Sequence, residues 1–522
     1  MTTNLADLTT SQLQGFGTMV KRSVFVSIAV LCGVARASGQ SAHHMTLEDL
    51  RHLRLPDVVL ESATPVAPDL QKNPHAAAYV EVKGVIGGNI RFELLLLETW
   101  NGRFVMGGGG GFVGTVQNSA SYSVNSGYAT VGTDTGHEWQ PGYMAGWAFD
   151  NLEAQLNFGY LAVHRTAEVA KALIRSYYGA DAAYCYFTGC SRGGGQAMME
   201  SQRYPNDFDG IVAGAPAFDW PGLAANAVAM EKALYPDPGH LDQTALDKEA
   251  LRKLQQAILD QCDALDGLKD GVVQDPPSAH FDLSKVPGLT DEQRKAIEAI
   301  YAGSHNDKGP IYPGFTPGAE CDPEQWILWI VGPSPGLAKD HAPDLLFAFG
   351  TQIFKYLVFN NPDWNYSTYD FSNFAGETRL AASFLDATNV NLDGLKARKG
   401  KLIIWHGWAD PALPPQGTID YYRQLQTRDP KASEYCRLFM VPGCLHCGGG
   451  PGASDVDWLS VIVEWVEHGA APDRVIASKS DHGKIEMKRP LYSYPTTVIY
   501  KGSGDPASAD SFVAKRAPGT AH

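Results

Sequence analysis

Positive charge is scarce in this chain: 42 Lys and Arg stand against 57 Asp and Glu, a formal net charge of −15 at pH 7. No basic stripe is available to neutralise phosphates, and anionic bilayer surfaces repel such a chain, so nucleic acid and membrane surfaces are excluded as expected partners. Beyond Val34 no uninterrupted apolar run approaches the roughly 20 residues of a membrane-spanning helix. Cysteine is sparse as well, 8 in 522 residues. One C-x-x-C spacing occurs, Cys444-Leu445-His446-Cys447, without the second pair of a zinc ribbon or a thioredoxin-like setting, which argues against a redox or zinc motif. No internal repeat is present. What the chain does have is length and a 44% hydrophobic composition, enough for a large core and more than one module.

The one long apolar run lies near the start. Lys21 and Arg22 precede the apolar Ser23 to Val34, and Ala35-Arg36-Ala37 supplies a small-residue cleavage site. This predicts an export signal over 1–37 and a periplasmic or secreted mature chain from about Ser38. Residues 1–18 are polar and stand ahead of the basic pair, which makes Met19 the expected true start. Leu31, directly before Cys32, is too bulky for lipoprotein processing. Removal of the signal leaves Cys185, Cys190, Cys262, Cys321, Cys436, Cys444 and Cys447, an odd set in a compartment that permits disulfides.

Strand-like runs fall at Tyr79–Val85, Arg91–Leu97, Arg103–Met106, Tyr128–Gly132, Tyr184–Thr188, Gly210–Ala213, Lys401–Trp405 and Arg437–Val441. Several alternate with helical segments such as 157–177, where Leu161, Ala162, Thr166, Val169, Ala170, Leu173 and Ile174 recur at helical spacing. Short apolar strands alternating with helices imply a mostly parallel sheet covered on both faces, an α/β core over 38–217 and 396–505. The stretch between, 218–395, is too long for a loop and is expected to be an inserted lid. Its aromatic set, Phe354, Tyr356, Phe359, Trp364, Tyr366, Tyr369 and Phe371, suits either a roof over an aromatic substrate or the lid's own core. The tail, 506–522, rich in Ala, Ser, Gly and Pro, reads as flexible.

Chemistry concentrates at Gly189-Cys190-Ser191-Arg192-Gly193, a G-x-S-x-G sequence between a strand-like and a helix-like stretch. A serine on such a turn projects from the sheet, and the N–H of the following residue lies at a helix N-terminus. A base and an acid in the order serine, acid, histidine are supplied by Asp410, in His406-Gly407-Trp408-Ala409-Asp410-Pro411, and His446, in Pro442-Gly443-Cys444-Leu445-His446-Cys447. Each follows a strand-like run and so belongs at the carboxyl edge of the sheet. His137, His164 and His406, with Asp134 and Asp209, are rivals in the wrong order or inside elements. The N–H of Arg192 and that of Gly111, at the end of Gly107 to Gly111, are the expected oxyanion donors. Cys190 precedes the serine and Cys447 follows the histidine, so contact between Ser191 and His446 implies a Cys190–Cys447 disulfide. Asp263, Asp266 and Asp270, spaced by glycines, suit a hard cation, calcium; the same spacing also suits a solvated acidic turn.

These blocks together resemble the tannase and feruloyl esterase family, serine esterases acting on esters of aromatic acids, a group that includes mono(2-hydroxyethyl) terephthalate hydrolases. The resemblance runs from about Trp100 to Asp505. It is carried by Trp100-Asn101-Gly102-Arg103-Phe104, Thr133-Asp134-Thr135-Gly136-His137, Phe158-Gly159-Tyr160, the Ser191 block with Gly194, and Tyr204-Pro205. Phe208 to Pro216, Cys262 to Gly267, His406 to Asp410, Val441-Pro442-Gly443 and His446-Cys447 complete it. It implies an α/β-hydrolase fold, a triad of Ser191, Asp410 and His446, and the Cys190–Cys447 disulfide beside it. It also implies a structural calcium in the lid held by Asp263, Asp266 and Asp270 with carbonyl oxygens of Leu268 and Val272. The sequence departs from the family pattern after the acidic loop, where no nearby cysteine pairs with Cys262, leaving that thiol free or reaching Cys321. An amidase or peptidase with the same triad and a catalytically idle, calcium-stabilised binding protein are the competing function classes. The natural ester, whether galloyl, feruloyl, other hydroxybenzoyl or terephthaloyl, is not encoded in any single motif.

Overall fold

A computed structural model describes residues 44–515, apart from 72, 142–143, 336 and 338–341. The expected export signal lies outside the described residues. Nine strands form one sheet: β1 (Val58–Val66), β2 (Tyr79–Ile86), β3 (Ile90–Leu97), β4 (Arg103–Gly107), β5 (Ala129–Thr133), β6 (Tyr184–Cys190), β7 (Gly210–Gly214), β8 (Lys401–Gly407) and β9 (Cys436–Val441). Their spatial order is β1-β2-β3-β5-β4-β6-β7-β8-β9. Pairing is antiparallel from β1 to β5 and parallel from β5 to β9. This is the expected α/β-hydrolase architecture, with every expected strand present within two residues at either end. Strand β1 escaped the sequence reading because it is a half-exposed edge strand containing Pro65, a residue that cannot donate to a ladder.

The parallel strands read as apolar runs because both their faces are covered. Phe104, Met106, Ile211, Ala213, Leu402 and Ile404 enter one core cluster, while the intervening Val105, Val212 and Ile403 enter the opposite one, as the period of two requires. Helix α1 (Ala162–Tyr178) buries Ala162, Thr166, Ala170, Leu173 and Ile174 on the first face and stops at Gly179 in a left-handed conformation. Helix α2 (Arg192–Arg203) follows β6 directly.

Residues 218–395 run between β7 and β8 as a mostly helical insertion that includes α3 (Trp220–Leu234), α4 (Lys248–Cys262) and α5 (Leu345–Gln352). Asp219 caps α3 by accepting from the Gly222 N–H at 2.9 Å, and Pro221 occupies the first turn, where no N–H is required. The insertion has an interior of its own, with Leu234, Leu251, Leu254, Ile258, Ile297, Ile300 and Trp326 buried together. Of the two readings of its aromatic run, core is observed: Phe354 stacks on Trp364 at 4.9 Å, and Phe354, Tyr366 and Phe371 are buried.

The tail departs from expectation. Phe512–Lys515 pairs antiparallel with Thr497–Tyr500, and Ser511 Oγ donates to Asp505 O at 2.6 Å, so the end of the described tail is held by contacts that composition does not reveal. Residues 516–522 lie outside the described residues.

Candidate active site

Ser191 stands between the end of β6 and the start of α2 with φ 63° and ψ −122°. A residue with a Cβ adopts this conformation only when its surroundings enforce it. Here the Ser191 N–H donates to Gly214 O at 3.0 Å, and the Ala217 N–H donates to Ser191 O at 2.9 Å. The turn is so tight that a Cβ on Gly189 would lie 2.6 Å from the Gly193 backbone, and one on Gly195 would lie 1.9 Å from Ala217 O. Gly189 in the motif and Gly195 in the first turn of α2 are therefore demanded by close backbone approach.

The structure brings Ser191, Asp410 and His446 together. His446 Nε2 lies 2.9 Å from Ser191 Oγ, and His446 Nδ1 lies 2.8 Å from Asp410 Oδ2. A carboxylate only accepts, so Nδ1 carries the proton and Nε2 is left to accept from the serine hydroxyl. Asp410 is fully buried and its Oδ1 accepts from the N–H groups of Ala412 (2.8 Å) and Leu413 (3.0 Å). Burial alone would raise its carboxyl, but His446 and His406 outweigh that and hold it well below the usual carboxylate range. Asp410 is thus a fixed anion that orients the imidazole.

Cys190 and Cys447 form a disulfide across the same junction, with their Cα atoms 5.9 Å apart. It ties the residue before Ser191 to the residue after His446. Cys447 is therefore not half of a C-x-x-C redox pair.

Since the Ser191 N–H is already engaged, the next amide along, Arg192, is at the open first turn of α2. In the glycine run, the N–H groups of Gly108, Gly109 and Gly110 donate to Thr188 O, Gln196 Oε1 and Gln117 Oε1. The Gly111 N–H has no acceptor among the described residues. Gly111 and Arg192 both line the cavity that holds Ser191. The Arg192 side chain is buried: its guanidinium lies 4.3 Å over the Phe158 ring, donates to the carbonyls of Phe158 and Gly159, and is lowered by burial to about 9.

The rivals are occupied elsewhere. His137 stacks on Trp147 at 3.7 Å and burial lowers it to about 4. His164 Nδ1 lies 2.6 Å from Asp207, Asp134 accepts from the N–H groups of Arg91 and Gly136, and Asp209 pairs with Arg398 at 2.5 Å. His406 was weighed only as a rival base, yet it belongs beside the relay: its Nε2 is 3.2 Å from Asp410 Oδ2 and its Nδ1 is 2.8 Å from Thr418 Oγ1. Its spacing four residues before Asp410 was the available signal.

A cavity of about 750 Å³ contains Ser191 and His446. Its walls include Trp329 and Phe349 from the insertion, stacked at 6.3 Å, with Trp329 edge-on to the His446 ring at 5.2 Å. Sequence reasoning missed both, because the aromatic density that drew attention lies further along, in the insertion's interior.

In the acidic loop, Asp263 accepts from the N–H groups of Asp270 and Gly271, and Asp270 Oδ2 meets Arg489 at 2.9 Å. Two features suit a cation there. Asp270 Oδ1 is buried without a partner, and Asp266 is raised to about 6 by burial, with Asp270 and Asp263 adding to the shift. A second cluster of possible ligands is His164, Glu200 and Asp207, whose imidazole nitrogen and carboxylate oxygens lie within 4.8 Å of one another. That second group already has a cation, since Lys171 Nζ is 2.9 Å from Asp207. Cys262 carries a free, buried thiol, as do the less enclosed Cys185 and the buried Cys436.

Comparison with known proteins adds to this geometry. The profile of the family described as "Tannase and feruloyl esterase" matches residues 79–515. A probable feruloyl esterase of Arthroderma benhamiae is 34% identical over 82% of this chain and 83% of its own length. The mono(2-hydroxyethyl) terephthalate hydrolase of Piscinibacter sakaiensis is 31% identical over 82% of each chain. The crystal structure of feruloyl esterase B from Aspergillus oryzae superposes with a TM-score of 0.78 at 25% identity, covering 90% of this chain and all of that one.

Proposed function

The chain belongs to the tannase and feruloyl esterase family and is a carboxylic ester hydrolase; from that premise we propose that it cleaves esters of aromatic acids through a Ser191–His446–Asp410 triad and an acyl-enzyme. The observation that carries the reading is the continuous relay of 2.9 Å and 2.8 Å contacts from Ser191 Oγ through His446 to a buried, ionised Asp410.

Ser191 Oγ attacks the ester carbonyl as His446 Nε2 takes its proton. The Arg192 and Gly111 N–H groups hold the oxyanion, the service that typically accounts for about 10²–10³ in rate per donor. His446 then gives its proton to the leaving alcohol. Water, deprotonated by the same imidazole, releases the acid and restores Ser191. Residues 218–395 serve as the lid, since Trp329 and Phe349 bring apolar rings to the cavity and shield it from bulk water.

Asp263, Asp266 and Asp270, with carbonyl oxygens of Leu268 and Val272, hold a structural calcium ion that neutralises the loop's clustered charge. The orphaned Asp270 oxygen and the raised Asp266 support this. Export to the periplasm or beyond is proposed on the N-terminal sequence alone. No helix among the described residues is long and apolar enough to cross a membrane.

Hydrolysis of methyl gallate, methyl ferulate, mono(2-hydroxyethyl) terephthalate and p-nitrophenyl acetate by the protein and by Ser191→Ala tests the reading. Serine-dependent turnover of an aromatic ester is expected. Comparable cleavage of the matching anilides would favour an amidase, and absence of all turnover would favour a binding protein.

A further inference from the structure

Helix α3 presents Leu223, Ala224 and Ala227 to the cavity, a smooth apolar wall interrupted by one amide, Asn226. Asn226 is 2% exposed, and its Oδ1 is buried with no hydrogen-bond partner. An amide oxygen left so in an apolar wall forgoes the hydrogen bond it would make in water, and groups of this kind in native structures mark a ligand or a water.

The neighbouring amides and hydroxyl of the wall are already engaged, and the Trp220 indole N–H, also buried without a partner, can only donate. Gln117 accepts from the Gly110 N–H, Asn118 exchanges hydrogen bonds with Thr130 and accepts from the Ala120 N–H, and Ser119 donates to Thr188 O. Asn226 is the amide of the wall whose oxygen is buried without a donor. The same cavity is lined by Leu346, Phe349 and Ile353, which suit an aromatic ring rather than a sugar.

We infer that Asn226 is a specificity-determining residue that hydrogen-bonds a hydroxyl on the ring of the substrate's aromatic acid, so that hydroxybenzoyl or hydroxycinnamoyl esters are preferred. The inference rests on the ester-hydrolase reading and deepens it. A phenolic hydroxyl both donates and accepts, and so satisfies the amide in either orientation of its oxygen and nitrogen. A ring carboxylate satisfies only the amide nitrogen and carries a charge into an apolar wall.

The test compares kcat/KM for methyl 4-hydroxycinnamate against methyl cinnamate, and methyl 4-hydroxybenzoate against methyl benzoate, in the protein, Asn226→Leu and Asn226→Ala. A preference of at least about tenfold for the hydroxylated member of one pair is expected, because a site built to bond a hydroxyl penalises its absence. In the variants the ratio falls toward one. Each ratio is taken within one preparation and cancels any loss of active protein; if Asn226→Leu does not fold, Asn226→Ala decides. Equal rates in the unaltered protein, or a ratio preserved in the variants, overturn the inference while leaving the esterase reading intact. Faster cleavage of a 4-carboxylated ester also overturns it and points to Arg192, whose Nε and Nη1 are likewise without partners. No turnover of any ester removes both readings together.

Discussion

His406 Nε2 lies 3.2 Å from Asp410 Oδ2, the same oxygen that His446 Nδ1 meets at 2.8 Å. Both partners of His406 Nε2, Asp410 Oδ2 and Leu413 O, are acceptors, so this nitrogen carries the proton and Nδ1 accepts from the Thr418 hydroxyl. His406 therefore fixes the carboxylate from behind. It is a positioning residue, and His406→Gln is expected to lower kcat about tenfold with little change in KM. Equal losses in kcat and thermal stability, with the rate restored at lower temperature, would make its role purely structural.

Removing the acid of the relay has a larger effect. Asp410→Asn keeps the shape but allows the wrong imidazole tautomer, and kcat should fall about 10⁴-fold with substrate affinity retained. Steady-state kinetics on whichever ester the protein hydrolyses fastest check this. A loss under tenfold would mean that Asp410 does not orient His446.

The Cys190–Cys447 bridge closes a long loop directly beside the relay. Replacing both cysteines by alanine should cost about 2–4 kcal/mol of stability, seen as a lower denaturation midpoint. Turnover should fall too, because the bridge holds the backbone flanking Ser191 and His446. A double variant with full activity would show that the relay is aligned without it.

Chelation should lower the melting temperature, and added calcium should restore it, through preferential binding to the folded state. Asp266→Asn should abolish the response while sparing turnover at temperatures well below melting. A melting temperature indifferent to chelator and calcium would remove calcium from the account.

Stability should also fall as pH rises toward neutrality. Glu320 is fully buried, and burial raises it from 4.5 to about 7, with Tyr301 and Gly318 partly opposing the shift. Its folded form holds a proton that the unfolded form has lost between these values. Its contribution, about 3 kcal/mol, is therefore complete below the unfolded value and lost as pH rises through the folded one. Glu320→Gln should make the fall in melting temperature between pH 5 and 8 shallower, the remainder belonging to other buried carboxyls such as Glu200, Glu231 and Asp344 that burial also raises; an unaltered slope would remove Glu320 from the dependence.

Much of the site was legible in the sequence because its parts follow strands. Ser191, Asp410 and His446 each stand a few residues beyond an apolar run, and a parallel sheet gathers such positions at one edge. The glycines were legible because close backbone approach admits no other residue. What stayed hidden depends on tertiary contacts that no local pattern carries: the edge strand β1, the pairing of Phe512–Lys515 with Thr497–Tyr500, and the choice of Trp329 and Phe349 over the denser aromatic run. His406 was visible as a residue but not as a role, since its value lies in the second oxygen contact it makes with Asp410.

The central claim is that Ser191 is an activated nucleophile. It is tested most directly by treating the protein with a fluorophosphonate and mapping the labelled peptide by mass spectrometry. Stoichiometric labelling at Ser191, abolished in His446→Ala, is the predicted result. Absence of label, or label that persists undiminished in His446→Ala, would contradict it.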